Sequence, residues 1–145
     1  MSNAFTVKET IDKPVGEVWA FLADMRHAPK WMTGVEDMRQ LTPGSVGLGT
    51  RFRFVARGAQ RETEITAWEP EKRIALTSTQ GGITATYEYS VLGRGDTTEV
   101  ELNAVCRAKG PWKIIHPIIV VLMRKSDSGH LVRLKNAIQE ESSRP

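Results

Sequence analysis

Apolar and polar side chains alternate from Phe5 to Ile11, with Phe5, Val7, Glu9 and Ile11 on one face, which predicts a half-buried strand. Asp12-Lys13-Pro14 stops it, and Pro14 suits a first helical position, where a missing N–H costs nothing. Val15, Val18, Trp19 and Leu22 then recur at helical spacing, predicting an amphipathic helix of about ten residues with Glu17 near its positive end. A shorter helical turn is expected around Pro29-Lys30-Trp31-Met32, ended by Gly34. From Val35 to Arg107 the period changes to two. Strands are predicted at Val35–Leu41, Gly49–Arg57, Arg61–Trp68, Arg73–Ser78, Ile83–Leu92 and Thr97–Arg107, separated by turns rich in glycine or proline. Such short connections make a meander of antiparallel hairpins. Beyond Pro111 the helical period returns. Val120, Met123, Asp127, Leu131, Leu134 and Ile138 form one stripe, broadened by Ile119 and Leu122, on a terminal helix of about 25 residues, roughly 37 Å long.

This order implies an α+β fold in which a curved seven-stranded antiparallel sheet (β-α-α-β6-α) wraps around the terminal helix. Seven strands span roughly 30 Å, whereas a helix with its side chains is about 10–12 Å across. The sheet must curl, with the two short helices plugging one end, and the space between its concave face and the long helix must be filled by something. Alternation assigns Ile83, Ala85, Tyr87, Tyr89 and Val91 to that face, with Val100, Leu102, Ala104 and Cys106, and with Phe52 and Phe54. Bulky aromatics mixed with small residues suit either an interlocked core or a lining with room for an apolar guest.

Composition changes the picture mainly by exclusion. With 145 residues the chain is expected to form a single domain over 1–145. Lys+Arg 20 against Asp+Glu 17 leaves +3, too little for a nucleic-acid footprint. Arg51, Arg53, Arg57 and Arg61 cluster around one hairpin and read as a solvated face. The single cysteine, Cys106, excludes an internal disulfide, and three scattered histidines without ligand spacing leave no metal site. No glycine-rich phosphate loop precedes a helix, so no cofactor is expected. Met1–Glu9 has no signal-peptide pattern, and the apolar run Ile114–Met123 is about half a membrane span. A cytoplasmic setting with no membrane span is therefore expected.

Three residues are candidates for acid–base chemistry. Glu9 stands between Val7 and Ile11 on an apolar face, where a carboxyl would be a buried acid or anchor unless it reaches water or an arginine. Asp127 and His130 lie at i, i+3, a spacing that lets a carboxylate orient an imidazole but equally permits an exposed helical pair. Tyr87 and Tyr89 offer hydroxyls at a cavity wall or pack with them turned to solvent. Trp31 and Trp112 read as lids or end plugs, and Ser126-Asp127-Ser128-Gly129-His130 lacks the strand–turn–helix elbow of a hydrolase.

Several segments together resemble one family. They are Ile11–Asp24, Pro29-Lys30-Trp31, Gly47–Phe52, Ile65–Ile74 and Leu131–Ile138, and the likeness spans about residues 5 to 140. It is to the polyketide cyclase/dehydrase and lipid-transport family, within the START/Bet v 1-like (SRPBCC) helix-grip superfamily. The bulky segment Lys109–Pro117 departs from a simple helix entrance. The resemblance implies a helix-grip fold and binding or transport of a small hydrophobic or amphipathic ligand between sheet and terminal helix. Ligand contacts are then expected from Trp31, Phe52, Phe54, Tyr87, Tyr89, Trp112 and Met123. It also allows a cyclase or dehydratase acting on a polyketide-like or aromatic carbonyl compound through Glu9, Tyr87, Asp127 and His130. A third reading is a protein-interaction module or homodimer that uses the apolar segment 114–123.

Overall fold

The alternating segments become strands β1 (Phe5–Ile11), β2 (Val35–Gln40), β3 (Arg51–Ala56), β4 (Ala59–Glu69), β5 (Arg73–Gln80), β6 (Ile83–Arg94) and β7 (Thr97–Ala108). The structure, a computed structural model, describes residues 4–32, 34–56 and 58–143. Every predicted strand is present, and consecutive strands from β2 to β7 pair as an antiparallel meander. β1 closes the sheet on the far side of β7, opposite Thr98–Ala104, giving the order β1-β7-β6-β5-β4-β3-β2. Irregularities between Glu36 and Arg39 and between Ile65 and Ala67 interrupt the ladders, and such bulges bend strands and increase their twist.

The first helix, α1 (Val15–Leu22), buries Val18, Trp19, Phe21 and Leu22. Pro14 stands one residue before it in an extended conformation (φ −62°, ψ 154°), as its N-cap rather than its first residue. A 3₁₀ turn, Met25–His27, follows under the Asp24 carboxylate, which accepts from the Arg26 amide at 3.1 Å and leads into α2 (Ala28–Trp31). Gly34, at φ +74°, supplies the left-handed residue between α2 and β2.

The terminal helix is not continuous. It divides into α3 (His116–Asp127) and α4 (His130–Ser143) at Ser128-Gly129, two residues of low helix propensity. The predicted inner stripe runs through the break: Met123, Leu131, Leu134 and Ile138 are all buried. α4 packs on β1, β7, α1 and α2 and forms the solid half of the molecule, where Leu102, Leu131, Leu134 and Ile138 are at most 2% exposed.

Held more loosely, α3 meets β7 and the 3₁₀ turn Gly110–Ile114 that precedes it. His116 Nε2 bonds the Cys106 carbonyl at 2.8 Å, and Arg124 donates to the Ala4 carbonyl at 2.9 Å. Trp112 lies against the β5–β6 turn. A Cβ on Gly82 would collide with Trp112 Cδ1, so this close approach requires glycine there. Among the described residues no helix is long and apolar enough to cross a membrane.

Candidate functional site

Strand β6 and the α3–α4 junction together build a hydrogen-bonded chain of four side chains. On β6, Tyr87 and Tyr89 point to the helix layer because they are two residues apart. On the helices, Asp127 ends α3 and His130 opens α4 three residues later. Tyr87 donates its hydroxyl proton to Asp127 Oδ2. The other carboxylate oxygen, Oδ1, lies 3.3 Å from His130 Nε2, and His130 Nδ1 lies 3.2 Å from the Tyr89 hydroxyl. His130 Nε2–H donates to the carboxylate, and Nδ1 meets the Tyr89 hydroxyl as its hydrogen-bond partner, so every link is satisfied.

The electrostatics follow from that geometry. Burial raises the Asp127 carboxyl, but bonds from His130 and Tyr87, the imidazole's charge and a bond from Ser126 outweigh it and hold the group below its ordinary value. Burial, reinforced by the negative Asp127, pushes the Tyr89 phenol well above its usual range. Tyr89 is 1% exposed and His130 4%, whereas Tyr87 is half-buried. Tyr87 is therefore the member of the chain whose ring reaches the open part of the concave face.

Trp31 packs edge-on against Tyr89 with ring centroids 5.2 Å apart, and lies 6.1 Å from the His130 ring. Its Nε1 is buried, and among the described residues it has no hydrogen-bond partner. Glu9 does not join the chain: its carboxylate lies 3.3 Å from Lys135 Nζ on α4, both side chains being part-exposed. The reading of Asp127 and His130 as an exposed helical pair is overturned, because their side chains are 15% and 6% exposed.

Beyond Tyr87 the concave face changes character. Phe54, Ile83 and Ala85 all point to the helix layer yet are half-buried, since α3 leans on β7 rather than across β3–β6. From Ile83 to Tyr87 this strip runs about 13 Å along β6 at 3.3 Å per residue. Its far end carries a charge that alternation had signalled but the grouping with neighbouring arginines had placed elsewhere. Arg61 pairs in register with Phe54 and stands two residues from Thr63 and four from fully buried Ile65, so it lies on the concave face and donates to Gln80. Arg51 and Arg53 belong to the opposite face, where Arg51 meets Glu62 at 2.6 Å, and Arg57 lies outside the described residues. Arg51 and Arg53 therefore do not share a solvated face with Arg61.

A cleft of about 530 Å³ opens on the β2–β3 side, lined by Trp19, Ala23, Met25, Met38, Val46 and Phe52 among others, with Asp24, Arg26 and Gln40 contributing polar groups. The expected contact residues are thus dispersed. Phe52 lines this cleft, and Phe54 and Tyr87 lie on the strip. Met123 is buried on the inner side of α3, Trp31 and Tyr89 are sealed in the core, and Trp112 covers a hairpin turn. Cys106 is buried, which raises its thiol. Among the described residues no cluster of histidine, cysteine or carboxylate side chains has the arrangement to hold a metal.

Known proteins share this architecture. The family model for polyketide cyclase / dehydrase and lipid transport matches residues 3–138. The chain belongs to that family. No curated protein matches its sequence significantly. Among solved structures, a protein from Thermus thermophilus is similar at 22% identity and TM-score 0.71, over 95% of this chain and 98% of the other. A START superfamily protein from Mycobacterium smegmatis is similar at 14% identity and TM-score 0.75, over 94% and 97%. The di-domain ARO/CYC BexL from the BE-7585A biosynthetic pathway is similar at 17% identity and TM-score 0.81, over 99% of this chain and 48% of that one. At these identities the likeness is one of fold: a START/Bet v 1-like helix grip.

Proposed function

We propose that this family member binds a small amphipathic molecule along the concave strip between Arg61 and Tyr87, on the part of the sheet that α3 does not cover. The carrying observation is the contrast between the two halves of the interior. Under α4, Leu102, Leu134 and Ile138 are sealed, whereas beyond the reach of α3 the inward-facing Phe54, Ile83 and Ala85 keep partial exposure. Apolar side chains turned inward but left unsealed are what a preformed binding surface presents. The strip has a hydrogen-bonding group at each end, Arg61 with Gln80 and Tyr87 with Asp127, so its chemistry suits an apolar body with polar ends. A soluble carrier acting within the cell is the setting this reading implies.

The test is filling the strip. Ala85→Phe is expected to weaken binding of a fluorescent apolar probe such as N-phenylnaphthylamine by about tenfold or more, through the loss of one subsite. Native mass spectrometry of the wild type purified from its host would show a co-purified ligand that the variant lacks. Unchanged probe affinity in a folded Ala85→Phe protein would end the proposal.

The Tyr87–Asp127 pair supports a second reading, a cyclase or dehydratase acting on a polyketide-like carbonyl compound. In that reaction the Tyr87 hydroxyl would touch the substrate, and Asp127, held ionised, would take or return its proton. His130, behind Asp127 and out of reach of the strip, would act as a positioning residue. Turnover of an aromatic polyketone that is abolished by Tyr87→Phe while probe binding persists would favour this reading.

A further inference from the structure

We propose that the protein docks onto anionic lipid bilayers through the outer face of α3 and the 3₁₀ turn that precedes it. A surface helix normally has one apolar stripe, turned to the core. α3 has two. Its inner stripe, Ile119, Val120 and Met123, faces the sheet. The outer stripe, Ile118, Val121 and Leu122, repeats at the same helical spacing and is 61%, 49% and 52% exposed. The preceding turn adds Ile114 at 81% and Trp112 at 41%, so the uncovered apolar ridge amounts to several hundred Å², at the upper end of what a monomer's surface carries.

Charge decides what covers it. Residues 102–126 contain no aspartate or glutamate. Lys109, Lys113 and Lys125 are exposed, flank the ridge at both ends, and among the described residues form no ion pair. A second copy of the chain seated on this face would bring basic rim against basic rim, because a two-fold interface presents the same patch to itself. A bilayer with acidic headgroups answers both features: the ridge enters the acyl boundary, Trp112 sits at the headgroup level, and the lysines reach the phosphates.

The test is flotation of the full chain with phosphatidylcholine vesicles, with and without phosphatidylglycerol. The expected result is binding to the phosphatidylglycerol vesicles that weakens as salt is raised. Combined Lys109→Gln, Lys113→Gln and Lys125→Gln is expected to weaken it about 100-fold, from roughly a fivefold contribution per lysine. Combined Ile118→Glu and Leu122→Glu should abolish it while leaving probe binding on the concave strip intact, which separates this surface from the ligand site. No binding to the acidic vesicles, or binding indifferent to both sets of changes, would overturn the proposal. So would a wild type that ignores vesicles but forms a dimer which the glutamate substitutions split. The lysine variant alters exposed side chains alone, so it remains decisive should the glutamate variant misfold.

Discussion

Asp127 is the residue on which the buried polar chain turns, since it receives Tyr87 on one oxygen and His130 on the other. Asp127→Asn keeps the shape but removes the charge, and it leaves one acceptor where two donors converge. A loss of about 1–3 kcal/mol is expected at neutral pH by denaturant unfolding. The sign of its pH dependence follows from a folded carboxyl held below its unfolded value of 3.8. The wild-type advantage is fully present above that value and fades as pH falls through the lower folded one. A difference that grew in acid would contradict this account. The i, i+3 spacing of Asp127 and His130 was legible in the sequence, but their burial was not, because the groups that enclose them, Tyr87, Tyr89 and Trp31, come from distant segments. Glu9 illustrates the same limit. Its place on an apolar face was readable, whereas Lys135, 126 residues away, was not. Arg61 was the reverse case: strict alternation with Thr63 and Ile65 already placed it inward, but proximity to Arg51 and Arg53 obscured that.

Among the elements, the divided terminal helix differs most from expectation. One inner stripe from Val120 to Ile138 suggested a single rod, and the stripe did survive. A two-residue interruption leaves the apolar positions on the same side, so periodicity alone passes over it. Propensity was the cue, in Ser128-Gly129. Gly129 has no positive φ, and a Cβ there would meet nothing within 4 Å. Gly129→Ala is therefore expected to stabilise the protein by about 0.4–1 kcal/mol, through a less flexible unfolded chain, as a higher denaturation midpoint. A lower midpoint would show that the break is required by the fold. The strands were legible to within two or three residues at their ends, because period two and glycine punctuation agree. The seat of β1 beside β7 was not, since nothing local in Phe5–Ile11 names a partner nearly a hundred residues away.

For the whole molecule, the mismatch between sheet width and helix girth anticipated a helix grip, and the family membership agrees with it. It did not say which part of the trough would be packed solid. The structure answers with α1, α2 and α4 sealing one half while α3 leans away from the other. Stability should be divided in the same way. A ligand at about a hundred times its Kd is expected to add about 2.7 kcal/mol to global stability. Hydrogen-exchange protection gained on binding should concentrate in Ile83–Tyr87 and α3, leaving α4 unchanged. Equal protection gained throughout α4 would place the ligand elsewhere.

The Trp112 ring clamped against Gly81-Gly82 has a mechanical meaning for the start of α3. It fastens the tip of the β5–β6 hairpin, next to Ile83, to the turn that opens α3, so a side chain placed at Gly82 is expected to disturb both at once.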